Sequence, residues 1–443
     1  MAAPLSHKAS FPDIGRAQGT LSLAAMSSVT EQTSRWAKGV FYGWWVLLAS
    51  MSVQVITSGF TVHAFGAYIA VMKAEFGWST TALSFAFALQ QAASGFLGPV
   101  IGWLIGRIGS RRVVRAGVVI FAVGVGLLSL VNSLPALYGA VFVIAIGAAL
   151  AGFLPLNTIA VQWFERWRST ALALMQTGIS VGGLIIPVVA WALASYGWRP
   201  TAVATSLLAL VVGIPLTFVI GNQPEDYDLV PDGKKHEPIV GEAPSLFGRD
   251  YTAKEAVKTR AFWFISFGHA LALTVVFAVS AHLVLFLTSD AGFNLELAGI
   301  IVALMTAMSI VGQLLGGFLG DRFNKRLIAI CAMFGHAGGL LMLAYGGTLP
   351  WAIAFGVVHG ISWGLRGPIM QSIRADYFGR RHFGQIMGYS SIIVTMGIVS
   401  GPLIAGSLAD VFGNYQVGFT LLAGMATLGS IFFMLTTPPE KLE

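Results

Sequence analysis

Twelve apolar runs, each about 20 residues or longer, dominate this 443-residue chain and decide what it can fold into. A helix rising 1.5 Å per residue needs roughly 20 apolar residues to cross about 30 Å of hydrocarbon. The runs place spans at 41–69, 80–105, 112–131, 136–162, 169–195 and 199–221, then 261–287, 296–320, 327–346, 350–374, 383–408 and 415–436. Backbone polar groups facing lipid find no water, so each run must be a helix. Composition agrees: 10% of residues are charged and mean hydropathy is +0.77, whereas a soluble surface needs about a quarter charged. The expected fold class is an all-α polytopic membrane protein.

Charge sets the orientation. A formal net charge of +7 would by itself suit a nucleic-acid binder. The basic residues are instead sorted by side. Of the 26 Lys and Arg, 23 fall in loops on one side, and only Lys73 and Arg199 fall on the other, with Arg366 left inside a span. The positive-inside rule then puts both termini and the central loop in the cytoplasm of a cell inner (plasma) membrane protein. No nucleic-acid partner is expected; the lipid bilayer is. The first 40 residues hold no apolar core long enough for a cleaved signal peptide. Met26, inside the weakly apolar stretch 20–29, is an alternative start. The single cysteine, Cys331, excludes an internal disulfide and a thiolate metal cluster.

The runs divide into a tail (1–40), a six-helix bundle (41–221), a polar linker (222–260), a second six-helix bundle (261–436) and a short C-terminal tail (437–443). Thr252 and Glu255 form a capping-box pattern for a short helix late in the linker, expected to run to Arg260. The halves repeat at an offset near 215 residues. Gly98, Gly102 and Gly106 match Gly312, Gly316 and Gly320, each trio a small face that admits another helix backbone. Trp163-Phe164 with Arg166 and Arg168 matches Tyr377-Phe378 with Arg380 and Arg381. Glu75-Phe76-Gly77-Trp78 roughly matches Asp290 to Asn294. Parallel repeats of this kind suit transporters that rock two bundles about a midplane site.

The loop Gly317-Phe318-Leu319-Gly320-Asp321-Arg322-Phe323-Asn324-Lys325-Arg326 resembles the signature loop of the major facilitator superfamily. A second copy, Gly102 to Arg112 with Arg107 and Arg111, occurs in the first half, as that superfamily requires, but carries Gly106 at the usual aspartate. The resemblance implies twelve helices in two pseudo-symmetric bundles. It also gives Asp321 a conformational role: facing the positive N-terminus of the fifth helix near Ser169 and Thr170, and letting go when that side opens. Arg322 and Arg326 belong to the same loop; they can equally be topology determinants. An Asp321→Asn change is expected to slow cycling without harming insertion. Tyr42-Gly43-Trp44-Trp45, Glu75 to Trp78, Pro231-Asp232-Gly233, Ala261-Phe262-Trp263 and Asp376 to Gly384 are similar to the monocarboxylate and oxalate/formate porter branch. Gln313 stands where that branch often has a substrate-binding arginine, and Met396 where oxalate-type members have a lysine.

Charges and polar groups inside spans are the candidate solute machinery. Arg366 in the tenth helix costs at least about 2.5–3.5 kcal/mol on insertion scales and needs a partner. A guanidinium pairs bidentately with a carboxylate, so Arg366 reads as an anion anchor, or as an arginine snorkelling to the cytoplasmic interface or pairing with backbone carbonyls. His359, Ser362, Trp363, Arg366 and Met370 share one helical face. His359, His269 and His63 are candidate proton carriers or structural histidines; His336, on a helix usually peripheral in this fold, reads as structural. Gln54 and Ser58 in helix 1, Ser309 and Gln313 in helix 8, and Asn157 after Pro155 in helix 4 can line a path or bond between helices.

The sequence shows no deep carboxylate, no nucleophile–base pair, no metal cluster and no phosphate-binding Gly-Lys-Ser/Thr loop, so neither an enzyme nor an ATP-driven pump is expected, and no cofactor. The expectation is a monomeric secondary transporter of a small organic anion, a monocarboxylate, coupled to protons. Export of a neutral or amphipathic compound, or organic-anion exchange, stands as the alternative.

Overall fold

The structure, a computed structural model, describes residues 40–233 and 250–439. The question of Met26 lies outside the described residues, as do most of both tails and the middle of the linker.

The first half contains α1 (Tyr42–Phe76); α2, built as Thr80–Phe96 and, after Leu97, Gly98–Ile108; α3 (Ser110–Leu128); α4 (Leu134–Trp163), α5 (Arg168–Tyr196) and α6 (Trp198–Val219). The second half contains α7 (Arg260–Asp290), α8 (Leu295–Gly320), α9 (Lys325–Gly346), α10 (Leu349–Phe378), α11 (Phe383–Phe412) and α12 (Gln416–Leu435). Among the described residues, nine of these contain a stretch long and apolar enough to cross a membrane. The other three are α2, α3 and α10. The last two carry arginines within the helix, Arg111, Arg112 and Arg115 in α3 and Arg366 and Arg374 in α10.

Each connection is written locally. Ser79 caps α2 by accepting from Ala82 N at 3.2 Å, and Asn294 caps α8 by accepting from Leu297 N at 2.8 Å. Gly77, which ends α1, sits at φ 64°, a conformation a side chain would resist. The capping box at Thr252 and Glu255 forms, but its helix, Ala253–Lys258, stops before Arg260. Thr259 then turns extended and caps α7 by accepting from Phe262 N. In α4 the helix breaks at Gly152 (φ −109°, ψ −142°) rather than at Pro155. Pro155 lies in the first turn of the new segment, where its missing N–H would have no helical partner anyway.

The glycine trios are used differently. Gly312 and Gly316 of α8 lie against Ile361 and Leu365 of α10, in their own half. Gly98 and Gly102 of α2 lie against Gly388 and Gly384 of α11, in the other half. Both linker ends are docked. Asp232 accepts from the backbone N–H of Glu165 at 3.0 Å and Arg166 at 2.7 Å, under the α4–α5 loop. Asp250 accepts from Arg381 N at 3.1 Å, under the equivalent α10–α11 loop. The repeat of those two loops thus extends to the aspartates that hold them.

Candidate functional site

The hydrogen bonds and ion pairs between halves cluster at the end of the molecule that carries the linker. The Asp321 carboxylate, just after α8, accepts from Ser169 N at 2.7 Å and Thr170 N at 3.0 Å in the first turn of α5. Burial pushes that carboxyl above its ordinary value, while the hydrogen bonds from Thr170 and Ser169 pull it back. Ser169 Oγ also reaches Ser372 Oγ of α10 at 3.0 Å. Next to them Arg168 pairs with Asp376 at 2.7 Å, and Lys325 reaches the other oxygen of Asp376 at 2.5 Å. Arg380 pairs with Glu225 of the linker and donates to the Gln162 carbonyl at 3.0 Å. A Cβ at Gly102 would stand 2.6 Å from the Gly384 carbonyl oxygen, so α2 and α11 meet backbone to backbone.

The loop arginines serve other contacts. Arg322 lies 3.7 Å over the Phe318 ring, Arg326 donates to the Thr436 carbonyl, Arg111 donates to the Phe218 carbonyl, and Arg107 lies over Trp103. Arg168 and Arg374, read from the sequence as loop charges, are both buried instead, each 1% exposed. Their helices run past the apolar stretch and are covered by neighbouring helices. The sorting of the remaining basic residues between the two loop sides is unaffected.

The midpoint of α10 holds the densest polar group. Pro368 inside the helix cannot donate, so the Gly364 carbonyl lacks its helical partner. Arg366 is buried, and its Nε and Nη1 find no hydrogen-bond partner. Side chains in a helix lean toward its N-terminus. Arg374 shows this by donating to Met370 O, one turn back, at 3.1 Å. The charge of Arg366 acts on His269, His336, His359 and Arg374. No aspartate or glutamate is buried among the described residues.

His359 is fully buried, with Nδ1 3.3 Å from Nδ1 of His336 in α9. Nε2 of each ring lacks a partner. His336, expected to be merely structural, is therefore part of this group. Gly335 and Gly339 of α9 face Ser362 and His359, so this side of α10 turns toward α9. The face drawn from the sequence splits: Trp363 is half-buried and Met370 fully buried. His269 meets Arg374 Nη2 at 3.1 Å. An arginine only donates, so His269 Nδ1 must carry a lone pair and its proton must sit on Nε2. That fixed tautomer makes His269 a positioning group for Arg374 rather than a convenient proton carrier.

The other expected residues are spread out. Gln54 and Ser58 are buried on α1, and Ser58 Oγ donates to Gln54 O at 2.6 Å. His63 meets the Ile179 carbonyl at 2.9 Å, tying α1 to α5. Asn157 Nδ2 donates to Phe153 O, leaving Oδ1 without a partner. Ser309 donates to Thr306 O, and Gln313 Oε1 is unpartnered beside the Gly364 crossing. Two residues escaped the sequence reading. Gln176 of α5 lies against Gly367 with Nε2 unpartnered, bringing the first half to the residue after Arg366. Arg374 was hidden by its closeness to the basic loop, although its i, i+8 spacing from Arg366 put both on neighbouring faces of one helix.

The description Major Facilitator Superfamily matches residues 51–314 and 265–443, and the chain belongs to that family. It is 24% identical over 411 residues to monocarboxylate transporter 13 of Bos taurus, covering 90% of this chain and 92% of the relative. It is also 24% identical over 402 residues to the hexuronate transporter of Escherichia coli K12, covering 87% of this chain and 92% of the relative. The fold is similar to that of the human organic anion transporter MFSD10, with TM-score 0.69 and 14% identity over 88% of this chain and 99% of the other. The protein is a multi-pass membrane transporter, not an enzyme.

Proposed function

We propose that this transporter moves a small organic anion, a carboxylate, across the cell inner membrane by alternating access, together with a proton. The carrying observation is Arg366: a buried guanidinium with Nε and Nη1 unpartnered, beside a second buried arginine and with no buried carboxylate among the described residues. An unpaired buried charge is costly unless something neutralises it, and a carboxylate bound at the guanidinium does so. The printed names of the two relatives, a monocarboxylate and a hexuronate transporter, specify carboxylates and support this class.

The membrane and the orientation are part of the proposal. With the basic loops inside, the linker end is cytoplasmic, and its closure by Asp321, Asp376 and the α2–α11 crossing makes this the outward-facing state. Gln176, Gln313, Asn157, Gln54, Ser58, Ser309 and Trp363 supply the remaining polar and aromatic surface of the path. Met370, which an apolar-solute cavity would need, lies in the packed core of the second half.

A thermal-shift screen of the purified protein with small carboxylates tests this reading, because stabilisation follows occupancy of the folded site. Carboxylates should raise the melting temperature in the wild type and not in Arg366→Gln. Stabilisation only by neutral amphipathic compounds would reject the anion reading.

A further inference from the structure

We infer that His336 and His359 form a proton site that fills together with the anion at Arg366, so that one proton accompanies each carboxylate. The inference rests on the anion reading of Arg366 and deepens it by naming where the proton is held.

The geometry restricts the dyad. Two Nδ1 atoms 3.3 Å apart can hydrogen-bond only if one carries a proton and the other a lone pair. The ring that donates through Nδ1 then has a bare Nε2, and the ring that accepts carries its proton on Nε2. Both Nε2 atoms are buried without a partner, as are Nε and Nη1 of Arg366. The neutral pair therefore offers one free donor and one free acceptor, and Arg366 offers two donors. The bare Nε2 of the dyad can hold the proton that accompanies a carboxylate on Arg366.

Charge ties the two events together. Around the dyad, α9 contributes no other titratable group at this depth, α12 has none along Gln416–Leu435, and α8 has only exposed Glu296 at its far end. The charge that acts on the dyad is Arg366 of α10, and His269 of α7 is held against Arg374 further along that helix. All are basic. In the empty site a proton on the dyad would add a second positive charge beside Arg366, in a medium that screens weakly. A carboxylate on Arg366 cancels that charge, and the bare Nε2 can then take a proton. The balance is one carboxylate and one proton bound, and one of each released when the linker end opens. By linkage the proton favours the anion as much as the anion favours the proton. The same arrangement discourages a proton from crossing alone.

The measurement uses the purified full-length chain in weakly buffered solution, with lactate and glucuronate as probes and a pH dye to count protons. The wild type should take up one proton per anion bound, and affinity should fall about tenfold for each pH unit once the pair stops protonating. His336→Gln and His359→Gln should bind the probe more weakly and lose both the uptake and the pH slope. Anion binding by the wild type without proton uptake would overturn the dyad, and needs no variant to fold. So would uptake retained in both glutamine variants. If neither probe protects the wild type, or Arg366→Gln binds as the wild type does, the anion reading itself falls and the dyad with it.

Discussion

Asp321, after the last turn of α8, accepts the backbone N–H of Ser169, in the first turn of α5, at 2.7 Å. One residue thus ties the second half to the first, on the partly positive end of a helix. The equivalent place in the first half holds Gly106, where the Gln385 side chain of α11 fills the space that a larger residue would need. At the Asp321 contact the first half contributes backbone N–H groups and the second half contributes the charge.

Asp321→Asn keeps one acceptor and removes a charge that burial penalises. Its amide nitrogen would then face one of the two N–H groups with no acceptor, so the closed contact should weaken and turnover in proteoliposomes should drop severalfold. Asp321→Ala removes both acceptors and leaves two N–H groups unserved, so the linker end should loosen. Equal turnover for wild type and Asp321→Asn would remove Asp321 from the cycle.

The same residue predicts a pH effect. Burial holds its carboxyl above the ordinary value in the closed state, and water would release it on opening. The closed end therefore binds a proton more tightly. Closure is favoured as pH falls, and that contribution is withdrawn as pH rises through the raised value. Spin-label distances across the linker end in the Arg366→Gln background, which removes anion binding, should shorten on acidification; lengthening contradicts the assignment.

Gly102→Val places a branched side chain where a Cβ alone would stand 2.6 Å from the Gly384 carbonyl oxygen. The α2–α11 crossing cannot then close. The variant should remain folded but populate the linker-open state, seen as longer spin-label distances, with transport abolished. Normal transport by this variant would show that the crossing opens and closes by another route.

Asp376→Asn removes the carboxylate charge that Arg168, 1% exposed, and Lys325 share. Breaking a buried pair from one side typically costs about 3–5 kcal/mol. The loss should fall on the state closed at the linker end, lowering the melting temperature. A double change that also neutralises Arg168 should recover part of it.

The helices were legible because lipid imposes one rule, about 20 apolar residues per span, and because Thr252 carries its cap in the sequence. The Asp321 contact was legible because a signature loop named both partners. Other features depended on tertiary register. His336 and His359 lie 23 residues apart on different helices, and nothing in either span shows that α9 and α10 bring the rings together. Arg374 and Arg168 sat next to basic loops, so local composition read them as surface charges, although packing buries both. Arg366 was visible at once, being a charge with no acidic residue near it in the chain.

The most direct measurement is carboxylate binding by Arg366→Gln beside the wild type, followed by thermal shift in the purified protein. Glutamine keeps a polar side chain of similar reach but loses the charge and the bidentate fork. The anion-anchor reading predicts that stabilisation seen in the wild type is abolished, with the unliganded variant no less stable, since a costly buried charge has gone. Undiminished stabilisation by the same carboxylate would contradict it.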